Sequence, residues 1–323
     1  MLIARRSLLA GGALALPAVA ARAGEEYPAR PITWVVPGSP GSVLDVAARL
    51  IALKLGVLLG QSVVIDNRTG AGGTVAAEFA ARAAPDGYTV FFGNFATFAI
   101  APLLIPGLRF EARRDFMPVH GIGASANIVI TGSGRPFATI LALIDHAKRN
   151  PGRVTYGASI GSGQHAAGAL FAQKAGVELT LVPYSNFAQA LNDTVAGRLD
   201  LMFDYPLSAL PHVRDGKLRA LAVNAGERLA IAPEVPTLAE AGLSGAELLG
   251  WSGLYAPMRT PPAITARLAE ATHRALLDRE VKALFDSTGT LLWDGVDGPA
   301  LGRALEVEIP RMQRLIGPAA KGG

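Results

Sequence analysis

Three short stretches of this 323-residue chain combine residue types that could do chemistry. Gly157-Ala158-Ser159-Ile160-Gly161 matches the G-x-S-x-G pattern of a nucleophile elbow. It falls between an apolar strand pattern and a helical one, the context such a serine needs. His212 and His273 lie downstream, and Asp193, Asp200, Asp204 and Asp215 could supply the acid. One reading is therefore a secreted serine hydrolase working through Ser159. The second stretch, Gly38-Ser39-Pro40-Gly41-Ser42, opens a helical pattern and sets Ser42 and Asp45 at the S-x-x-D spacing of a capping box. Free N–H groups at a helix start favour an anion, although an acid at the third position already uses part of that positive end. The plainer reading is a well-capped helix and nothing more. The third, residues 69–74 (TGAGGT), lacks the G-K-[ST] ending of a phosphate loop and the full G-x-G-x-x-G spacing, so it reads as a tight strand-to-helix turn.

Metal and thiol chemistry find no support. His120, His146, His165, His212 and His273 show no ligand-like spacing, and the chain has no cysteine. That excludes disulfides, thiolate zinc sites, Fe–S clusters and a cysteine nucleophile. No cofactor is called for. His165, at the start of a helical pattern, reads as a cap or wall residue.

The elements that must position these residues alternate. Strand patterns fall at 32–37, 62–67, 88–94, 128–131, 154–159, 179–184, 199–204, 218–223 and 250–257. Helical patterns fill 42–59, the stretch up to Arg82, 137–148, 164–174, 187–196, 262–287 and 299–316, the last with a kink expected at Pro310. Apolar strands joined by helical crossovers predict α/β architecture with parallel sheets covered on both faces. In open α/β sheets ligands sit beyond the carboxyl ends of strands. Those ends carry residues 38–42, 94–97, 159–165, 184–186 and Asp204. The expected site is thus built from loops, backbone donors and hydroxyls, with almost no arginine or lysine.

Half of the residues are hydrophobic and 17% are charged, which excludes a disordered chain. The net charge of +4 would raise nucleic acid or an anionic membrane as partner. Three of the positive charges, however, lie in residues 1–23. There Arg5-Arg6 precedes an apolar run of about 13 residues, short of the ~20 needed to span a bilayer, and Ala21-Arg22-Ala23 follows. This is the pattern of a cleaved export signal, twin-arginine in style. Cleavage after Ala23 leaves +1, so the case for a nucleic-acid partner fails. The expected product is a soluble, exported protein.

Longer stretches carry a specific resemblance. YPARPITWVVPGSPGSVLDVAARLIALKL, IDNRTGAGGTVAAEFAARAAPDGYTV and VPYSNFAQALNDTVAGRLDLMFDYPLSALPHVRDGKLRALAV resemble the Bug family, the periplasmic solute-binding proteins of tripartite tricarboxylate transporters. The match runs from about Tyr27 to the C-terminus. The resemblance implies a type II periplasmic-binding-protein fold, two lobes joined by two crossing strands around a central ligand cleft. Lobe one would comprise 27–122 plus 250–323 and lobe two 123–249. It also implies a small organic carboxylate as ligand and no enzymatic activity. The partners would be the membrane subunits of a transporter, or a membrane sensor, with the binding protein a monomer. Family ligands are held largely by main-chain amides, hydroxyls and water. The matching positions are Ser39, Pro40, Gly41 and Ser42 in the first loop, and Ser159, Ile160, Gly161, Ser162, Gln164 and His165 in the second. Asn94, Phe95, Ala96, Thr97, Tyr184, Ser185 and Asp204 would line the rest.

The chain departs from the family pattern in five places, one of them Val43-Leu44 where small or polar residues are usual. Gly38 replaces an aromatic, Ser42 replaces a glycine, and position 185 is Ser where Lys is frequent. The second loop is one residue shorter, which is what creates the G-x-S-x-G match. With few cations and with Phe95, Phe98 and Phe187 near the loops, the expected ligand is a carboxylate with an apolar or aromatic body rather than a compact polyacid. A dicarboxylate site with those side chains packed under the loops is the competing expectation.

Overall fold

The computed structural model describes residues 27–184 and 186–320, the last four by backbone alone. In chain order, β1 (Ile32–Val36), α1 (Val43–Leu59), β2 (Val63–Asn67), α2 (Thr74–Ala81) and β3 (Thr89–Asn94) form two parallel strand–helix–strand crossover units. A π-helical turn, Ala96–Ile100, and the short helices α3 (Ala101–Leu104) and α4 (Ala112–Asp115) lead into the ten-residue strand β4 (Phe116–Ser125). Then come β5 (Ile128–Gly132), α5 (Ile140–Arg149), β6 (Val154–Ala158), α6 (Gly163–Ala175), β7 (Leu179–Pro183), α7 (Phe187–Val195), β8 (Leu201–Asp204), α8 (Pro206–Arg214) and β9 (Leu218–Val223). The chain returns through β10 (Gly250–Pro257), α9 (Pro262–Leu276), α10 (Arg279–Thr288), β11 (Thr290–Leu292) and α11 (Gly298–Ala320).

Two sheets result, ordered β11-β4-β10-β3-β1-β2 and β7-β6-β8-β5-β9. The strand patterns read from sequence all form strands. The expectation of purely parallel sheets is corrected: β10 runs antiparallel to β3 and β4, and β5 antiparallel to β8 and β9. These reversed strands are the ones that pass between the sheets. β4 continues into β5 with only Ala126 and Asn127 between them. The return from β9 enters β10 beside it, Gly250 pairing with Ser125.

That register decides where the site lies. The carboxyl ends of β1, β2, β3 and β4 share one edge, next to the crossing segments. In the second sheet Ile128 at the start of β5 pairs with Asp204 and with Val223, so the carboxyl ends of β6, β8 and β9 abut the same crossing. Two ligand-prone edges therefore face each other.

The cores explain the elements. Ala48, Ile51, Ala52, Leu55 and Leu59 of α1 bury one stripe on Ile32, Trp34 and Val36 of β1. An aromatic cluster of Phe91, Phe98, Phe116 and Tyr255 fills the other face of the first sheet. The single helix expected over 262–287 is two, because Asp278 caps a new start by accepting the Glu280 amide at 2.8 Å. α11 runs through Pro310 as one helix. The expected leader, residues 1–23, lies outside the described residues, as does Ser185. Among the described residues no helix is long and apolar enough to cross a membrane.

Candidate ligand cleft

The loops after β1 and β6 are built alike. In Ser39-Pro40-Gly41-Ser42 the Ser42 amide donates to the Ser39 carbonyl at 3.1 Å, and Gly41 takes φ +80°. In Ser159-Ile160-Gly161-Ser162 the Ser162 amide donates to the Ser159 carbonyl at 3.1 Å, and Gly161 takes φ +81°. Both are type II turns, which need a left-handed residue at the third position and so favour glycine. In both, the second serine caps the following helix. Ser42 Oγ accepts the Asp45 amide at 3.3 Å and Ser162 Oγ accepts the His165 amide at 3.1 Å. In both, the residue three beyond the cap reaches back to the turn glycine: the Gly41 amide donates to Asp45 Oδ2 at 2.8 Å and the Gly161 amide to His165 Nδ1 at 3.3 Å. The S-x-G-S repeat is visible in the sequence, though its meaning emerges only with these contacts.

The chemistry at that last position differs. Asp45 is buried and also accepts from Arg49 Nε and Asn67 Nδ2, each at 2.9 Å. The Arg49 hydrogen bond, with those from Gly41 and Asn67, holds its carboxyl down to about 2 against the cost of burial. Asn67 further donates to the Gly38 carbonyl at 2.9 Å, and Arg49 donates to Asn67 Oδ1 at 2.9 Å. Loop one is thereby braced by a charged network, and its carboxylate stands at the start of α1. At the start of α6 the equivalent group is the imidazole of His165, which burial keeps neutral by lowering its pKa. Loop two is also the more enclosed. A Cβ on Gly161 would stand 2.8 Å from Leu104 Cδ1, whereas one on Gly41 would meet nothing within 4 Å.

The remaining expected site residues divide. Asn94 is half-buried, and its Oδ1 accepts the Thr97 amide at 3.0 Å, with Ala96 half-buried in the turn between them. Thr97 is fully buried; its hydroxyl donates to the Gly72 carbonyl at 3.0 Å and pins the TGAGGT loop beside this turn. Gln164 is buried on the first turn of α6, beside the Tyr205 hydroxyl. Tyr184 donates its hydroxyl to Asp193 at 2.6 Å, and burial followed by that carboxylate pushes its pKa up to about 12. Asp204 is buried at the end of β8, where it accepts the Tyr205 amide and the Ser208 hydroxyl, each at 2.8 Å. Burial raises its pKa. Its carboxylate is thus committed to starting α8.

One expectation is corrected. Phe95 and Phe98 add no aromatic surface: Phe95 is 2% exposed against Trp251, and Phe98 is 1% exposed among Phe91, Phe110 and Phe116. The π-helical turn swings them under the strand end into the core. Phe187 is likewise packed against the core of the second sheet. Apolar surface at the loops comes from Ile160 at 64% exposed, Val43 at 56% and Tyr205 at 43%. Tyr205 was legible only as the residue after a strand-ending Asp.

A two-sheet chain with paired capped turns at facing edges has known counterparts. Residues 47–316 match the model of the tripartite tricarboxylate transporter family receptor. The chain belongs to this family. A Pseudomonas sp. (strain P51) protein, the UPF0065 protein in the tcbD-tcbE intergenic region, is 36% identical over 97% of this chain and 94% of its own. Among solved structures, R. palustris Rpa4515 with adipate is 33% identical with a TM-score of 0.78, covering 92% of this chain and 99% of that one. MatC from Rhodopseudomonas palustris with bound malate is 33% identical with a TM-score of 0.75, covering 90% and 100%. The receptor is thus a two-lobed α/β solute-binding protein of the Bug type.

The contacts that the hydrolase alternative needs are not made at Ser159. Ser159 Oγ donates to the Tyr184 carbonyl at 2.6 Å rather than to a histidine. The left-handed residue of its turn is Gly161, not the serine, so the strained nucleophile of an elbow is absent. His273 lies in the other sheet's layer, bonded to the Asp294 carbonyl and 5.7 Å from the ring of His120.

Proposed function

We propose that this receptor captures a small organic carboxylate in the periplasm by closing two lobes over it, one around each sheet. In this reading lobe one is 27–122 with 250–323 and lobe two 123–249. The observation that carries it is the pair of matched turns, each opening a helix at the facing sheet edges. Helix starts and turn amides attract carboxylates without a cation. The relatives bound to adipate and malate support the ligand class.

The turns are electrostatically unequal, which favours one seat for the carboxylate. Asp45 already places a negative charge at the start of α1, next to the Gly41 amide. An incoming carboxylate is repelled there and favoured at Ser162 and the first turn of α6, where His165 is neutral. Loop one then contributes the Ser39 and Ser42 hydroxyls and the exposed Val43. Opposite stand Ile160 and Tyr205, which suit an apolar body. Arg49 and Arg68 are tied to Asp45 and Asp66, so neither is free to balance a polyacid. The preferred ligand is therefore a carboxylate with an apolar or aromatic body, ahead of citrate. After capture the closed lobes present the ligand to the membrane subunits of a tripartite transporter; the receptor itself works as a monomer and catalyses nothing.

A thermal-shift panel of adipate, malate, citrate and arylalkanoates tests this. Ligand at ~100 times its Kd stabilises by about 2.7 kcal/mol. The expected result is the largest shift with an arylalkanoate or adipate. No shift with any carboxylate overturns the assignment, and a shift with citrate alone overturns the apolar preference.

A further inference from the structure

Away from the cleft, the side of the molecule where α6 meets α11 holds a groove of about 370 Å³. One wall is the end of α6, with Leu170 and Lys174. The other is α11, with Val307, Arg311 and Arg314, and the loop at Gly245 closes one end. Three features bear on what it could hold. First, its volume is that of a small-ligand pocket. Second, its floor is apolar, from Leu170 and Leu315, with Val307 62% exposed at its rim. Third, its cations are not spent on one another's neighbours. Arg311 is engaged, pairing with Glu308 at 3.2 Å and donating to the Glu247 carbonyl at 2.7 Å. Lys174 and Arg314 have no acidic partner among the described residues. Glu247 turns its carboxylate back on the Gly245 amide at 3.3 Å. Lys174 lies against Gly245, its Nζ 3.4 Å from where a Cβ would stand.

We infer that this groove binds a second ligand, an amphipathic monoanion: a carboxylate or sulfonate head between Lys174 and Arg314, and a short apolar chain over Leu170, Val307 and Leu315. Two cations facing an apolar trough suit such a molecule and not a compact polyanion, which would leave the trough in water. The walls come from elements packed on different sheets, α6 on the second and α11 on the first. An occupant therefore fixes their separation, and its affinity depends on how far the lobes have closed.

Octanoate is a suitable probe, followed by the amide resonance of Gly245 in the full-length mature receptor labelled with ¹⁵N. The expected result is a saturable shift at Gly245, weakened at least tenfold in K174E/R314E and in the milder K174Q/R314Q. It should be unchanged in S42A/S162A. Both cations are on exposed helix surface, so the variants keep the fold. A still Gly245 overturns the inference, as does a shift of equal strength in wild type and both charge variants, which would mean apolar adsorption. Movement of Gly41 and Gly161 with Gly245 still would place octanoate in the cleft alone. That outcome supports the cleft assignment while overturning this one.

Discussion

The two turns share a backbone and differ in charge. Ser39-Pro40-Gly41-Ser42 and Ser159-Ile160-Gly161-Ser162 make the same turn bond, the same cap and the same reach-back to glycine. In lobe one the reaching group is a carboxylate buttressed by Arg49 and Asn67; in lobe two it is a neutral imidazole. One residue thus makes the same scaffold charged in one turn and neutral in the other, which under the proposed function separates a rigid wall from an anion seat. The difference is what the proposed capture of a carboxylate without a lysine or arginine rests on.

The comparison breaks most sharply at the glycines. Gly161→Ala combines a left-handed backbone with a Cβ 2.8 Å from Leu104. About 2 kcal/mol of strain is expected, since the Leu104 methyl can partly swing aside, lowering Tm and reducing ligand affinity about tenfold. Gly41→Ala has the same φ but open space, so only about 1 kcal/mol is expected. Equal Tm losses in the two variants would dissolve the asymmetry.

Asp45→Ala strands Arg49 and the Gly41 amide and should cost about 2–3 kcal/mol in urea unfolding. Asp45→Asn keeps the shape without the charge. It should improve adipate relative to a monocarboxylate several-fold in calorimetry, because loop one no longer repels a second carboxylate. The sign of the pH effect follows. The folded carboxyl titrates near 2, below its unfolded value of 3.8, so its contribution is full above about pH 4 and is lost as pH falls toward 2. Asp45→Asn should flatten that part of the stability curve.

His165→Ala should weaken binding about tenfold by releasing the Gly161 amide. The imidazole's pKa is lowered from 6.5, so its contribution to the folded state is present above pH 6.5 and is lost as pH falls through the lowered value. The Gly161 amide resonance should move in that window while Gly41 stays still. The smallest effect is expected for Ser159→Ala, about 1 kcal/mol of stability from the bond to Tyr184, with esters unhydrolysed before and after.

Much of the architecture was legible because buried strands are short apolar runs, as in ITWVV and LMFD. β4 was not, because FMPVHGIGAS alternates large and small residues for non-local reasons. A Cβ at Gly121 would strike Val296 and one at Gly123 would strike Phe285. α8 was hidden by Pro206 and Pro211, although a proline at the first helical position is favourable. In the site, the loops and caps were readable from Ser, Gly and their spacing. The fates of Phe95, Tyr184 and Asp204 were not: Phe95 turns under on the π-helical turn against Trp251, while Tyr184 and Asp204 are tied to the helices that follow them, through Asp193 and through Tyr205 and Ser208.

The central claim is that the carboxylate sits on the lobe-two turn. Calorimetric titration of a monocarboxylate that binds wild type, repeated with Ser162→Ala and Ser42→Ala, tests it directly. The account predicts at least tenfold weaker binding for Ser162→Ala and less than threefold for Ser42→Ala. The reverse order would put the carboxylate against Asp45 and contradict it.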